Sequence, residues 1–183
     1  MGTIYLFLAD GFEEVEALAP VDVCRRAGLK ITTVSIMGTL TVHSSHGVGV
    51  LADALFETCN FADAEMLVLP GGMPGATNLG AHAGLHREIE RMAGENKPLT
   101  AICAAPMVLG EMGLLKGVKA TCCPGFEGYM KGATYTASLV EKDGNYITGC
   151  GPAASFELGF AIVEKYLGRA KADELRSKMR FTR

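Results

Sequence analysis

Cys103 is the residue whose local sequence most favours chemistry. In the run Leu99-Thr-Ala-Ile-Cys-Ala-Ala-Pro-Met the residues change at this cysteine from β-prone to helix-prone, which predicts a tight strand-to-helix turn. A thiol at a helix N-terminus lies near unpaired N–H groups, which can lower its pKa from about 8.5 to about 3.5–7.5. We therefore predict a reactive thiolate at Cys103. The alternative is an inert, packed core cysteine.

A candidate proton donor lies in the acidic segment after the first apolar run. Glu13, Glu14 and Glu16 would all fall in the first turn of a helix, where acids are favoured by the helix dipole regardless of function. Glu16 lies near the apolar positions that turn toward the sheet. A glutamate pressed against a thiolate has its pKa raised by burial and by like charge, so Glu16 could hydrogen-bond to the sulfur and act as a proton shuttle.

A glycine turn offers a candidate oxyanion site. Gly71 and Gly72 follow the short apolar run Met66-Leu-Val-Leu and Pro70. Because glycine carries no side chain, the N–H groups of this turn could approach a ligand oxygen and act together with the N–H of Ala104 as an oxyanion hole. The alternative is an ordinary Pro-Gly-Gly turn.

The elements that must position these residues alternate along the chain. Apolar, β-branched runs alternate with helical patterns, which predicts an α/β fold with a mostly parallel, buried sheet, and residues 38–54 predict a small antiparallel excursion. The predicted strands cover residues 3–9, 31–37, 66–69, 99–102, 119–121, 138–142 and 146–148. The predicted helices cover residues 13–27, 76–79, 85–94, 103 to about 115, 153–167 and 169–179.

The first predicted helix contributes to both the core and the site. Val15, Leu18, Val21 and Val23 are predicted to face inward on it. In open α/β sheets, functional sites form beyond the carboxyl ends of the strands. The acidic segment, the glycine turn and Cys103 all follow strands, so we expect them to meet at one edge of the sheet.

Composition limits the classes of function. The 183 residues, 49% hydrophobic and 20% charged, predict one domain over residues 1–183. A net charge of -3 without a basic block disfavours nucleic-acid binding, and no apolar run approaches the roughly 20 residues that cross a bilayer. Six cysteines without paired CxxC spacing, in a chain with no export signal, predict reduced thiols, no metal site and a cytoplasmic protein.

Five segments together carry a family resemblance. The segments are Glu13-Glu-Val-Glu-Ala, Pro20-Val-Asp-Val-Cys-Arg-Arg-Ala-Gly, Val68-Leu-Pro-Gly-Gly, Ala101-Ile-Cys-Ala-Ala-Pro and Gly151-Pro-Ala-Ala-Ser-Phe-Glu. With these segments in this order, the chain resembles the ThiJ/PfpI superfamily, most closely the branch containing the parkinsonism-associated deglycase.

The resemblance implies a fold and a set of site residues. The implied fold is a flavodoxin-like three-layer α/β/α sandwich, usually homodimeric. The implied site has Cys103 as the reactive elbow cysteine, a protonated Glu16 hydrogen-bonded to it, an oxyanion hole from Gly72 and Ala104, and Pro152 at the pocket border. No metal or organic cofactor is implied.

The chain departs from the family pattern at several site positions. Ala104 stands where the protease-like branch has a histidine after the cysteine, which disfavours peptide hydrolysis. Cys123 stands where the deglycase branch often has a histidine, and Cys150 where it has an arginine. Each cysteine either faces the pocket or only packs. His46 aligns with a basic residue that in the family can lie near the dimer partner's site; the alternative is an exposed loop histidine.

The resemblance leaves several functions open. The first is a glyoxalase-like or deglycase-like enzyme, in which the Cys103 thiolate adds to a 2-oxoaldehyde or its protein adduct. The second is a cysteine-based oxidative-stress sensor or chaperone, in which Cys103 is oxidised to sulfinate without turnover. A third is a binding or scaffold dimer with an idle thiol. The ThiJ label also suggests thiamine (thiazole phosphate) biosynthesis, although no segment predicts a thiazole phosphate site.

Overall fold

Parallel strands build the centre of the molecule in the computed structural model, which describes residues 2–181. The strands are β1 (Thr3–Leu8), β2 (Ile31–Ser35), β3 (Thr41–His43), β4 (Gly49–Leu51), β5 (Ala54–Leu55), β6 (Ala64–Leu69), β7 (Leu99–Ile102), β8 (Lys119–Ala120), β9 (Thr134–Tyr135), β10 (Val140–Asp143) and β11 (Tyr146–Gly149). The helices are α1 (Glu14–Arg26), α2 (Gly75–Ala81), α3 (Ala83–Gly94), α4 (Pro106–Glu111), α5 (Ser155–Leu167) and α6 (Arg169–Lys178).

The main sheet is mostly parallel. Over the described residues it has seven strands in the order β10-β11-β7-β6-β1-β2-β5, and only the β10–β11 pair is antiparallel. Strands β3 and β4 form the predicted antiparallel excursion as a separate hairpin. The predicted flavodoxin-like α/β fold is therefore confirmed. Residues 119–121, predicted as a strand, contribute β8, which pairs with β9 outside the main sheet.

Both faces of the sheet are covered, which accounts for the continuous apolar character of its strands. In β1 every residue is buried. Ile4 and Leu6 pack in the core on the side of α1, α5 and α6, whereas Tyr5 and Phe7 pack in the core on the side of α2, α3 and α4. This alternation follows from the two-residue period of a strand.

Two details of the predicted helices are wrong. Val15 and Leu18 were predicted to face inward but are 43% and 39% exposed, while Val21 and Val23 are buried as predicted. The helix after Cys103 was predicted to run to about residue 115 but ends at Glu111. Gly113 adopts a left-handed φ of 75°, and the N–H of Leu114 donates to the carbonyl of Leu109 at 3.0 Å. This is a Schellman termination, which the glycine makes possible.

Candidate functional site

Cys103 lies on a strained turn immediately after β7. Its φ of 63° is in the left-handed region, which costs a residue with a side chain about 1–2 kcal/mol. Two backbone hydrogen bonds hold it there: its N–H donates to Gly149 O at 2.8 Å, and its carbonyl accepts from Cys123 N at 2.8 Å. The predicted strand-to-helix turn is present, although α4 begins only at Pro106. The thiol is half-buried.

Glu16 is brought to the same place by the start of α1. Glu13 caps this helix, with its carboxylate accepting the N–H of Glu16 at 2.7 Å, and Glu14 points toward the surface. The side chain of Glu16 is fully buried, and its Oε2 accepts the N–H of Gly71 at 2.9 Å. Its Oε1 is buried and has no hydrogen-bond partner within residues 2–181. Of the three glutamates, Glu16 therefore has the inward position that the sequence predicts.

Gly71 packs tightly against both Glu16 and Cys103. A Cβ at this position would lie 2.6 Å from Glu16 Oε2, 2.7 Å from Cys103 Cβ and 2.9 Å from Ile102 O. Only glycine fits between Glu16 and Cys103. The sequence predicts that the N–H of Gly71 faces a ligand, but in the structure it is bound to Glu16.

Burial controls the electrostatics of the pair. Burial raises the pKa of Glu16 to about 7; the charge of Glu13 adds to this rise, and hydrogen bonds from Cys103 and Gly71 oppose it. Burial also raises the pKa of the Cys103 thiol, and the charge and hydrogen bond of Glu16 raise it further. The sequence predicted that a helix N-terminus lowers the pKa of this thiol. That prediction is wrong, because burial and Glu16 raise the pKa. Because like charges this close repel, the pair carries at most one negative charge near neutral pH.

Two backbone donors beside the pair have no protein acceptor. The N–H groups of Gly72 and Ala104 donate to no acceptor in the described part of the chain. Gly72 has a φ of 84°, and a Cβ on it would lie 2.4 Å from Glu13 N, so this turn also requires glycine. These are the two N–H groups that the resemblance implies for an oxyanion hole.

Two further thiols lie around Cys103. Cys123 is half-buried, and its hydrogen bond and charge contribute to the raised pKa of Cys103. Cys150 is half-buried as well; burial raises its pKa, and the charges of Cys123 and Glu16 add to the rise. Both cysteines that depart from the family pattern therefore lie close to the predicted site. Pro152 is exposed and begins the short turn before α5.

His46 lies in the loop between β3 and β4, beside the entrance to α1. The hairpin is held there because Gly11 N donates to His43 O at 2.8 Å and Ser45 N to Phe12 O at 2.7 Å. His46 Nδ1 lies 3.0 Å from the carboxylate of Glu14. This hydrogen bond raises the pKa of His46 and lowers that of Glu14. Glu13, Glu14 and His46 each bring one possible metal-ligand atom within 4.8 Å of the others.

One residue that supports the elbow was missed at the sequence level. Gly149 supplies the carbonyl that holds the N–H of Cys103, and a Cβ on Gly149 would lie 2.9 Å from Ile102 Cδ1. The signal for this contact is the Gly149-Cys-Gly-Pro run at the end of β11, where two glycines flank a cysteine.

The sequence profile of the DJ-1/PfpI family matches residues 2–165. The chain belongs to the DJ-1/PfpI family. Within this family it is similar to DJ-1 homolog B of Arabidopsis thaliana, with 38% identity over 169 residues that cover 92% of this chain and 39% of that protein. The chain thus spans well under half the length of this curated relative.

Two other relatives of the family match over nearly their whole length. Deglycase PH1704 of Pyrococcus horikoshii is 34% identical over 153 residues, which cover 81% of this chain and 90% of that protein. The solved structure of oxidised DJ-1 from Toxoplasma gondii superposes with a TM-score of 0.93 at 29% identity and covers 98% of both chains. The structural match confirms the DJ-1 fold.

Among the helices of residues 2–181, none has the length and apolar character that a membrane span requires.

Proposed function

We propose that the protein is a glyoxalase-like or deglycase-like enzyme that acts on 2-oxoaldehydes or their protein adducts through Cys103. The observation that carries this proposal is the buried Glu16 carboxyl beside the Cys103 thiol, with a pKa of about 7. A carboxyl with such a pKa can both give and take a proton near neutral pH. The similarity to a protein named deglycase supports the same reaction class.

The chemistry begins with one negative charge shared by the pair. When the proton resides on Glu16, the Cys103 sulfur is a thiolate and attacks the aldehyde carbon of methylglyoxal. The N–H groups of Gly72 and Ala104 bind the resulting oxyanion. Glu16 protonates this oxygen, then removes the proton from the former aldehyde carbon and delivers it to the neighbouring carbon, while the hydroxyl proton of the first carbon passes to the oxygen of the second. The product is a lactoyl thioester, and its hydrolysis by water releases lactate and restores the thiol.

Lactate formation from methylglyoxal tests this proposal. We expect the wild-type protein to produce lactate and Cys103→Ser to produce at least about 100-fold less, because a hydroxyl is a far weaker nucleophile than a thiolate. Cys59→Ser is the control, since Cys59 is also half-buried but bonds to Leu55 O, away from Cys103. Equal rates in all three proteins, or no lactate from the wild type, would refute turnover.

Oxidative sensing by the same thiol is the second candidate. The solved structure of an oxidised relative supports it, as does the half-exposed Cys103 beside two more thiols. A wild-type protein that forms no lactate, and in which dilute peroxide oxidises Cys103 before the other cysteines, would favour this function over catalysis.

We also propose a homodimer in the cytoplasm. The family resemblance implies the dimer, and Val15 and Leu18, with Phe156 beside them, leave an apolar surface on α1 and the start of α5. We expect sedimentation analysis to give a dimer for the wild type and a monomer for Leu18→Glu, because a charge at a packed apolar interface is strongly unfavourable. Leu167→Glu, at a similarly exposed leucine at the end of α5, should stay dimeric. A monomeric wild type contradicts the proposal.

A further inference from the structure

Cys123 is held against Cys103 by the backbone. The loop after β8 is anchored because Thr121 N donates to Thr148 Oγ1 at 2.9 Å and Cys123 N donates to Cys103 O at 2.8 Å. With one backbone N–H···O=C bond of this length between them, standard bond lengths keep the two Cα atoms within roughly 6.7 Å of each other. Disulfides span Cα separations of about 4.4–6.8 Å. The two residues are therefore spaced as a disulfide requires.

The side chains also approach each other. The Cys123 thiol lies near enough to that of Cys103 to contribute to its raised pKa. Both thiols are half-buried, so small molecules can reach them. The buried Glu16 Oε1, without a partner in the described residues, provides a group beside the Cys103 sulfur that can carry a proton.

We infer that Cys123 is a resolving cysteine, which converts peroxide-oxidised Cys103 into a reducible Cys103–Cys123 disulfide. This inference depends on the reactivity of Cys103, as the proposed function does, but not on the aldehyde chemistry. The oxidised end product is then a Cys103–Cys123 disulfide, whereas the sequence suggested a sulfinate at Cys103.

Both steps balance with hydrogen peroxide as the oxidant. In the first step the Cys103 thiolate attacks one peroxide oxygen, the O–O bond breaks, and the departing hydroxide takes the proton of Glu16 to give a sulfenic acid and water. In the second step the sulfur of Cys123 attacks the sulfur of Cys103, the S–O bond breaks, and the thiol proton of Cys123 leaves with the hydroxide as a second water. In sum, two thiols and one peroxide give one disulfide and two waters.

The neighbouring cysteines provide controls. Cys150 is half-buried, and the charge of Cys123 contributes to its raised pKa. The backbone N–H of Cys150 donates to Leu139 O at 3.0 Å, and not to Cys103. Cys122 is fully buried and is adjacent to Cys123 in the chain. Cys150→Ser therefore removes a thiol near the site and leaves the Cys103–Cys123 pair intact.

Peptide mapping of the whole protein after peroxide treatment tests the inference. Wild type, Cys123→Ser and Cys150→Ser are treated with one to ten equivalents of peroxide, blocked with iodoacetamide and digested without reductant. In the wild type and in Cys150→Ser we expect the Cys103 peptide linked to the tryptic peptide Ala120–Lys131, with the loss of two hydrogens, reversible by dithiothreitol. Fragmentation between Cys122 and Cys123 identifies the linked sulfur. In Cys123→Ser we expect at least ten-fold more sulfinate at Cys103.

The outcomes separate this inference from the proposed function. Equal sulfinate in wild type and Cys123→Ser, or a link from Cys103 to Cys122 or Cys150, overturns the resolving role and leaves the aldehyde chemistry standing. A Cys103 that reacts with neither peroxide nor iodoacetamide overturns both.

Discussion

We expect Glu16→Gln to raise the free energy of unfolding above that of the wild type by about 3 kcal/mol more at pH 8 than at pH 4. The pKa of Glu16 is raised from 4.5 to about 7 by burial, so the folded state binds a proton that the unfolded state has released between these values. The stabilising contribution of this group is complete below pH 4.5 and is lost as the pH rises through 7. A shift of about 2.5 pKa units corresponds to roughly 3 kcal/mol. The neutral glutamine avoids this loss and can still accept the N–H of Gly71.

Urea unfolding of wild type and Glu16→Gln at pH 4, 6 and 8 measures this effect. Comparison of the two proteins at each pH cancels the titration of all other groups. Glu14→Gln is the matched control, because the pKa of Glu14 is lowered by its hydrogen bond to His46, so its neutralisation should give no gain at pH 8. A difference between wild type and Glu16→Gln that is independent of pH would show that Glu16 does not titrate near neutrality in the folded protein.

The same substitution should reduce reactivity while it increases stability. In the wild type the Cys103–Glu16 pair loses its first proton near pH 7, and iodoacetamide alkylation should rise at that step. In Glu16→Gln there is no carboxyl group to take the proton that Cys103 loses when it becomes a thiolate. We therefore expect the rise in alkylation near pH 7 to disappear and lactate formation to fall about 100-fold. An unchanged pH profile of alkylation would contradict the proton-sharing pair.

Gly71→Ala is expected to cost at least about 3 kcal/mol of unfolding free energy and about 100-fold in activity. The added methyl group would lie 2.6 Å from Glu16 Oε2 and 2.7 Å from Cys103 Cβ. It must push apart two groups that belong to different elements, and overpacking of this kind costs about 1–3 kcal/mol before any loss of the Gly71–Glu16 hydrogen bond. A displacement of about 1 Å at reacting atoms can cost about 100-fold in rate.

Gly94→Ala is the control for this prediction. Gly94 lies at the end of α3, and a Cβ there would meet nothing within 4 Å. Alanine favours helix over glycine by about 0.5–1 kcal/mol, so this variant should be as stable as the wild type or slightly more stable. Thermal unfolding and lactate formation are measured on all three proteins. A Gly71→Ala protein with the stability and activity of the control would show that the turn can relax away from Glu16.

Local patterns were sufficient for much of the site. The change from β-prone to helix-prone residues at Cys103 predicted the turn, which the structure forms with a φ of 63°. The position of Glu16 among the apolar residues of α1 predicted its burial. The run Met66-Leu-Val-Leu predicted the strand that ends before the glycine turn. Each of these depends on residues within one or two turns of helix or one strand, and the sequence contains that information directly.

Other properties depended on segments far apart in the chain. The sequence predicted a lowered thiol pKa from the helix after Cys103, but burial beside Glu16 raises it. Val15 and Leu18 were assigned to the core because the apolar stripe of α1 is wider than the face that α5 and the sheet cover. The pairing of β8 with β9, outside the main sheet, followed from no local pattern.

The sequence by itself determined the alternation of strands and helices, the family and the choice of a candidate thiol and acid, because propensity, periodicity and motif are properties of neighbouring residues. Only the tertiary structure decided that Gly71 packs against both Glu16 and Cys103, that the backbone of Cys123 is hydrogen-bonded to that of Cys103, and that burial raises the pKa of both Glu16 and Cys103. Those properties arise from distances and from water exclusion, which exist only after the layers have packed.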